Sequence, residues 1–361
     1  MIIKKQYKMK KLCCFVILLS VLSVAPLKAQ DDLAERYSVT DTIEDFGLFT
    51  GDDMLNLSLR FDVTNYKRKK PKDEYMDAVM TYHISKDDSI NKNIRLKTRG
   101  EFRNGHCAFP PIVLNFKKTD FEKADLDKIG KVKMVTHCMS GNEEYLFKEY
   151  LVYKLYSVLT DTSFRVRLVN ITYINTFKES KPISSYAFFI EPLDLVAERI
   201  GAVPVELTSL NQKNIIPEMM DRMAIFNYMI GNTDWSVPNQ HNCKVLSDPN
   251  AARQNLGLII PYDFDYSGFV NASYAVPVEG LGIETVRERI YQGVCRDEAT
   301  FMDALQEFPA KKEAFYKVIQ EFQYLDERSK KDMIRYLDEF FSMFDKRNSI
   351  LYSLKNECKN L

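Results

Sequence analysis

Beyond residue 29 the 361-residue chain has no apolar run of the roughly 20 residues that a membrane-spanning helix needs. It has no excess of charge of either sign, with 50 Lys and Arg against 50 Asp and Glu, so the strongly basic surface typical of nucleic-acid binding is not indicated. Its seven Cys lack metal-type spacing, and a disulfide scaffold does not suit a chain of this size. One bridge between distant cysteines stays open. There is no internal repeat and no low-complexity segment.

The one apolar run comes first. Five Lys between Lys4 and Lys11 precede an apolar stretch from Leu12 to Ala25, followed by Leu27-Lys28-Ala29. This is the pattern of a secretory signal over 1–29 cleaved near Ala29, and a start at Met9 would leave that signal complete. Cleavage removes six Lys and no acid, so 50 against 50 becomes 44 against 50, a net charge of −6. The expected mature protein is exported, periplasmic or secreted, without a transmembrane segment. Cys13 and Cys14 leave with the signal; Cys107, Cys138, Cys243, Cys295 and Cys358 remain.

Residues 30–52 are polar and acidic and read as a leader. From Leu55 the chain alternates: LNLSLRFDV, YMDAVMTYHI (Tyr75 to Ile84), NIRLKTRG (Asn93 to Gly100), PIVLNFK (Pro111 to Lys117), RVRLVNITYI (Arg165 to Ile174) and SYAFFI (Ser185 to Ile190) read as strands of an antiparallel sheet. KRKKPKDE (Lys67 to Glu74) reads as a solvated turn, with a membrane surface or a polyanion as the alternative contact. The segment holding Arg99, Arg103, His106 and Cys107 is turn-rich. After Asn142, Phe147, Leu151, Leu155 and Val158 fall on one helical face, with Lys148 beside it and Glu144 one turn earlier. Lys148 is thus either a surface salt bridge or a ligand-facing cation. The expected organisation is a strand-rich lobe over 53–200 with one main helix, then a helical lobe over 201–361. In the second lobe the stripe Met219, Met223, Phe226, Ile230 reads as core, and Ser329 with Asp332 as a helix start.

The chain is organised around Ala224 to Phe269. An apolar helix leads into GNTDWSVPNQHNCKVL, and after a polar connector LGLIIPYDFDYSGF follows. Two acidic loops off neighbouring β-segments are what a divalent cation and a phosphate need in one cleft, since hard cations take oxygen ligands. Asp and Asn also form turns and caps by themselves, and His241 reads as a hydrogen-bonded rather than a metal-binding histidine.

Several segments together resemble the spore-coat-protein-H-type (CotH-like) atypical kinases, in an exported Bacteroidetes branch: Arg99-Gly100-Glu101-Phe102-Arg103 before a strand, Leu146-Phe147-Lys148-Glu149-Tyr150, Phe188-Phe189-Ile190-Glu191, Asn232-Thr233-Asp234, Asn242 to Leu246, and Pro261-Tyr262-Asp263-Phe264-Asp265. The resemblance implies an α+β, protein-kinase-like two-lobed fold and Mg²⁺- or Mn²⁺-dependent phosphoryl transfer from ATP or another donor to a protein or glycan hydroxyl. It assigns Asp234 as the catalytic base, Asn242 and Asp263 as metal ligands with Asp265 as a second ligand or the actual one in place of Asp263, Lys148 as a phosphate contact and Glu191 as a neighbour of the nucleotide base. The chain departs from ordinary kinases in having Asn239, not Asn242, five residues after Asp234, in showing no glycine-rich phosphate loop, and in carrying Pro110-Pro111. A catalytically silent kinase-fold binding protein of the cell envelope and a metal-dependent hydrolase are the alternatives. The donor, the acceptor, the cysteine pairing and the oligomeric state stay open.

Overall fold

The structure is a computed structural model that describes residues 48–83, 89–116, 129–204, 210–248, 256–346 and 349–361. All of these belong to one compact unit, 43–361. The expected signal and most of the expected leader lie outside the described residues. Leu48 and Phe49, at the end of that leader, are buried.

In chain order the elements are β1 (Leu55–Phe61), α1 (Val63–Lys69), β2 (Met76–His83), β3 (Ser89–Thr98), α2 (Phe102–His106), β4 (Ile112–Asn115), β5 (Lys131–Thr136), α3 (Glu143–Leu159), β6 (Val166–Asn175), β7 (Ile183–Ile190), α4 (Leu193–Ile200), β8 (Val203–Pro204), α5 (Pro217–Ile230), β9 (Cys243–Ser247), β10 (Gly257–Pro261), α6 (Glu298–Ala310), α7 (Lys312–Gln320), α8 (Glu327–Asp345) and α9 (Ser349–Glu357). The fold is therefore mixed α and β.

The first seven strands close into a barrel in the order β1-β2-β3-β4-β5-β7-β6. The closing seam is parallel, β1 on β6 with Leu57 opposite Ile171, and the other joins are antiparallel. Alternation explains it: Leu55, Leu57, Leu59 and Phe61 of β1 turn inward and meet Leu96, Leu114, Met134 and Phe189 in one core. Closure removes the sheet edges that would otherwise present unpaired backbone groups.

Two expectations need correction here. The basic run was expected as a turn, but Lys67, Arg68 and Lys69 form the last turn of α1, because Asp62 caps its start by accepting from Asn65 N at 2.8 Å. Strand β5, KVKMVT, was not expected at all, although Val132 and Met134 alternate into the core.

A second core surrounds α3 and α5 and reaches into α6 to α9. Helix α3 is buried on more than one face, with Leu146, Tyr150, Tyr153 and Tyr156 inside as well as Phe147, Leu151 and Leu155 of the expected stripe, while Val158 is partly buried. It packs on β6, β7 and α7. Helix α8 begins before Ser329: Asp326 accepts from Arg328 N and Ser329 N at 2.9 and 3.0 Å. Strands β9 and β10, the two expected β-segments, pair as an antiparallel hairpin, with β8 on its outer side. Among the described residues no helix is long and apolar enough to cross a membrane. Two disulfides, Cys107–Cys138 and Cys295–Cys358, are present, and Cys243 is free and buried.

Candidate functional site

Helix α5 ends because Gly231 adopts a left-handed conformation, φ 62°, in which its N–H bonds back to Tyr228 O. A Cβ at this position would lie 2.1 Å from the Tyr336 hydroxyl, so only glycine fits. The chain then enters Asn232-Thr233-Asp234, which is held from several sides. Asn232 donates to Asn227 Oδ1 at 2.9 Å and accepts from Asp234 N at 3.1 Å, and Gln292 donates to Thr233 O at 2.8 Å. The Asp234 carboxylate is presented partly exposed. It accepts from Asn242 Nδ2 at 2.9 Å and meets His241 Nε2 at 2.8 Å.

The second acidic loop is tied to the first through the backbone. Tyr262 N donates to Asn242 O at 2.9 Å, Gly268 N to Gly231 O at 3.0 Å, and Phe269 N to Ile230 O at 2.9 Å. Asp263 lies two residues beyond the end of β10 with φ 63°, an uncommon conformation for a non-glycine residue. Its N–H donates to the Tyr153 hydroxyl of α3 at 2.8 Å, which anchors the turn from across the core.

Three carboxylates meet here. Glu149 of α3, Asp263 and Asp265 each offer an oxygen, all within 4.8 Å of one another. Arg103 of α2 joins two of them, its Nε donating to Asp265 Oδ2 at 2.8 Å and its Nη2 to Glu149 Oε2 at 2.5 Å. Tyr274 donates to Asp265 Oδ2 at 3.0 Å. Asp263 faces Arg99 at the longer distance of 3.9 Å, and its side chain stays 31% exposed. Glu149 Oε1 is buried with no hydrogen-bond partner among the described residues.

The electrostatics separate the three acids. Burial pushes Glu149 up to about 8, with Arg103 opposing and the two aspartates adding to the shift. Burial likewise lifts Asp265 to about 6 against the pull of Arg103. Desolvation would raise Asp263 as well, but Arg103 and Arg99 outweigh it and hold this carboxyl below the ordinary range. Asp263 is thus the acid of the three that stays ionised most readily.

Next to Asp263 lies a group of cations. Lys133 of β5 and Lys244 of β9 stand over the Tyr262 ring, 4.8 and 5.7 Å from its centroid. Lys133 is lowered to about 8 by burial and then by the neighbouring charges of Arg99 and Lys244. Like charges crowded against one acidic group are the setting an anionic ligand relieves.

The structure therefore brings together four of the six residues singled out in the sequence. Asp234 bonds Asn242, Asp263 meets Asp265, and the Tyr262 N–H bond to Asn242 O ties the two loops that carry them. The remaining two are engaged elsewhere. Lys148 pairs with Glu144 at 2.5 Å, and Glu144 in turn accepts from Ser329 of α8 at 2.9 Å. Glu191 ends β7 in a two-point pair with Arg199, at 2.8 and 3.1 Å, and also accepts from Arg165 N at 3.0 Å. His241 is hydrogen-bonded, as expected. Sequence reading assigned no role to Glu149, Arg103, Arg99, Lys133 or Lys244. All but Lys133 stood inside segments already singled out, and the alternation of KVKMVT was the available signal for Lys133.

No protein-family model matches the chain, and no curated protein matches it in sequence. Among solved structures the chain is similar to a Helicobacter pylori proinflammatory kinase, CtkA, at 13% identity and a TM-score of 0.38, over 72% of this chain and 94% of that one.

Proposed function

We propose that the chain is a protein-kinase-like, CotH-like phosphotransferase, moving a phosphoryl group from ATP or a related donor to a protein or glycan hydroxyl. The observation that carries this reading is the juxtaposition of the Glu149, Asp263 and Asp265 carboxylates with the cations Arg99, Lys133 and Lys244. One half suits a hard divalent cation and the other suits phosphate oxygens.

The residues fit Mg²⁺ or Mn²⁺. The donor set is all oxygen, and the buried Glu149 Oε1 lacks a partner that a cation would supply. Asp263 and Asp265 would hold the ion, with Asn242 nearby through the Tyr262 backbone bond. When bound, the ion would neutralise charge developing on the transferred group. Lys133 and Lys244 would orient the donor phosphates. Asp234 would accept the proton of the attacking hydroxyl as its oxygen bonds to phosphorus and the bond to the leaving phosphate breaks, with Asn242 and His241 fixing the carboxylate's direction.

The two disulfides support export, since such bonds persist in oxidising compartments. A second reading, the silent binder, draws on one observation: Arg103 already neutralises Asp265 and Glu149.

A thermal-shift experiment tests the proposal. ATP with Mg²⁺ or Mn²⁺ is expected to raise the Tm of the mature chain, and Asp263→Ala to abolish the rise. No shift in the wild type, or an undiminished one in the variant, sinks the reading. Nucleotide binding without transfer identifies the silent binder, and phosphate release without an acceptor identifies the hydrolase.

A further inference from the structure

The basic run of α1 faces a cleft of about 390 Å³ between this helix and the β6–β7 hairpin. A cavity of this size suits a small ligand or the end of a larger one. Four cations line it, Lys67 and Arg68 from α1 and Lys178 and Lys181 from the hairpin, and no carboxylate does. None of the four has an ion pair among the described residues. The acids next to them in sequence are placed otherwise: Asp62 is used in capping α1, and Glu179 is not part of the lining.

The two walls are fixed to each other. Asn175, at the end of β6, donates from Nδ2 to Thr64 Oγ1 and to Lys178 O, both at 3.1 Å, and accepts from Thr64 N at 3.3 Å. Thr176 N adds a bond to Phe61 O at 2.9 Å. The Thr64 hydroxyl therefore has a lone pair taken by Asn175 and its own hydrogen left to donate. The cleft offers ammonium, guanidinium and hydroxyl donors over an apolar floor of Val63, Tyr173 and Ile183. Such a site is complementary to a compact, acceptor-rich ligand whose charge offsets several cations at once. A phosphate group carries close to two charges and three acceptor oxygens, so two such groups match four cations.

We propose that this cleft binds a ligand bearing two or more phosphate-type groups, at a site that shares no residue with the carboxylate cluster. The preset walls reduce the ordering cost of binding. The source of the phosphate groups, a soluble polyphosphate or an anionic lipid headgroup, is decided by experiment.

The mature chain is titrated with inorganic tripolyphosphate by calorimetry, and its co-sedimentation is measured with phosphatidylcholine vesicles with and without phosphatidic acid. Lys67→Glu with Lys181→Glu is expected to weaken binding by more than about tenfold, because two charge-assisted contacts are lost. Lys133→Met is expected to leave it unchanged. Loss of tripolyphosphate binding alone identifies a soluble ligand, and loss of vesicle binding identifies a lipid headgroup; either upholds the cleft. Binding that survives charge reversal, binding removed by Lys133→Met instead, or no binding of either probe overturns it. If the reversed pair fails to fold, Lys67→Ala with Lys181→Ala serves, with a smaller expected loss.

Discussion

The burial of Glu149 and Asp265 costs stability, and pH exposes that cost. Both are raised in the folded state, to about 8 and about 6, chiefly by burial. Carboxyls raised on folding contribute most below their unfolded values, and that contribution is lost as pH climbs through the folded ones. The metal-free protein should therefore lose Tm from about pH 5 toward pH 8. Glu149→Gln should flatten the upper part of that decline, as seen in melting curves recorded across the range. Asp263 works in the opposite sense: held low, it contributes above its unfolded value and loses that contribution as pH falls. Two lysines separate by the same kind of argument. Lys148 is buried, its side chain 6% exposed, and pairs with a Glu144 that is 42% exposed, so Lys148→Ala should lose stem packing as well as a partly screened pair, about 1–3 kcal/mol in stability, and leave nucleotide response intact. Lys133→Met should leave Tm near or above the wild-type value, since a buried cation among cations is removed, yet weaken nucleotide binding about tenfold. Equal effects of the two substitutions on nucleotide binding would contradict the assignment of Lys133.

At the scale of elements, the turn after α5 is where packing and conformation agree most tightly. Gly231 has φ 62°, and a Cβ there meets the Tyr336 hydroxyl of α8 at 2.1 Å; Gly268, bonded to it, would place a Cβ 2.3 Å from Val286 O. Gly231→Ala should cost about 2–4 kcal/mol in denaturant unfolding, from left-handed strain plus overpacking. It should also displace Asp234, because the same turn directs Asn232 and the loop beyond. The hairpin, the α5 stripe and most strands were legible from periodicity, since each is a local pattern read over a few residues. Helix α1 was not, because its helical turn follows from one cap, Asp62, in a run whose charges suggest a turn. Strand β5 was not either, because Lys131 and Lys133 on its outward side give KVKMVT the look of a polar connector, although Val132 and Met134 turn inward.

At the scale of the molecule, the barrel closes through a seam that joins Leu55–Phe61 to residues more than a hundred positions away. The disulfides act over shorter stretches. Cys295–Cys358 spans 63 residues and ties the start of the α6 region to the end of α9. Replacing both cysteines by serine should lower stability by about 2–4 kcal/mol in equilibrium unfolding, since the bridge restricts the unfolded chain. An unchanged midpoint would show that the bond carries no net stabilisation.

The acidic loops, their order and their oxygen-bearing residues were set by local sequence: Asp234 follows a helix-ending glycine, and Asp263 follows a strand. Their partners were not. Glu149 comes from α3, Arg103 from α2, Lys133 from a barrel strand, and each meets Asp263 or Asp265 only after the barrel has closed and α3 has packed against it. Lys148 and Glu149 show the division within two adjacent residues. Nothing in the local pattern distinguishes which of two neighbouring charged side chains faces the cluster, because helix rotation is decided by what packs on every side. The packing of α3 turned Glu149 toward Arg103 and left Lys148 to Glu144.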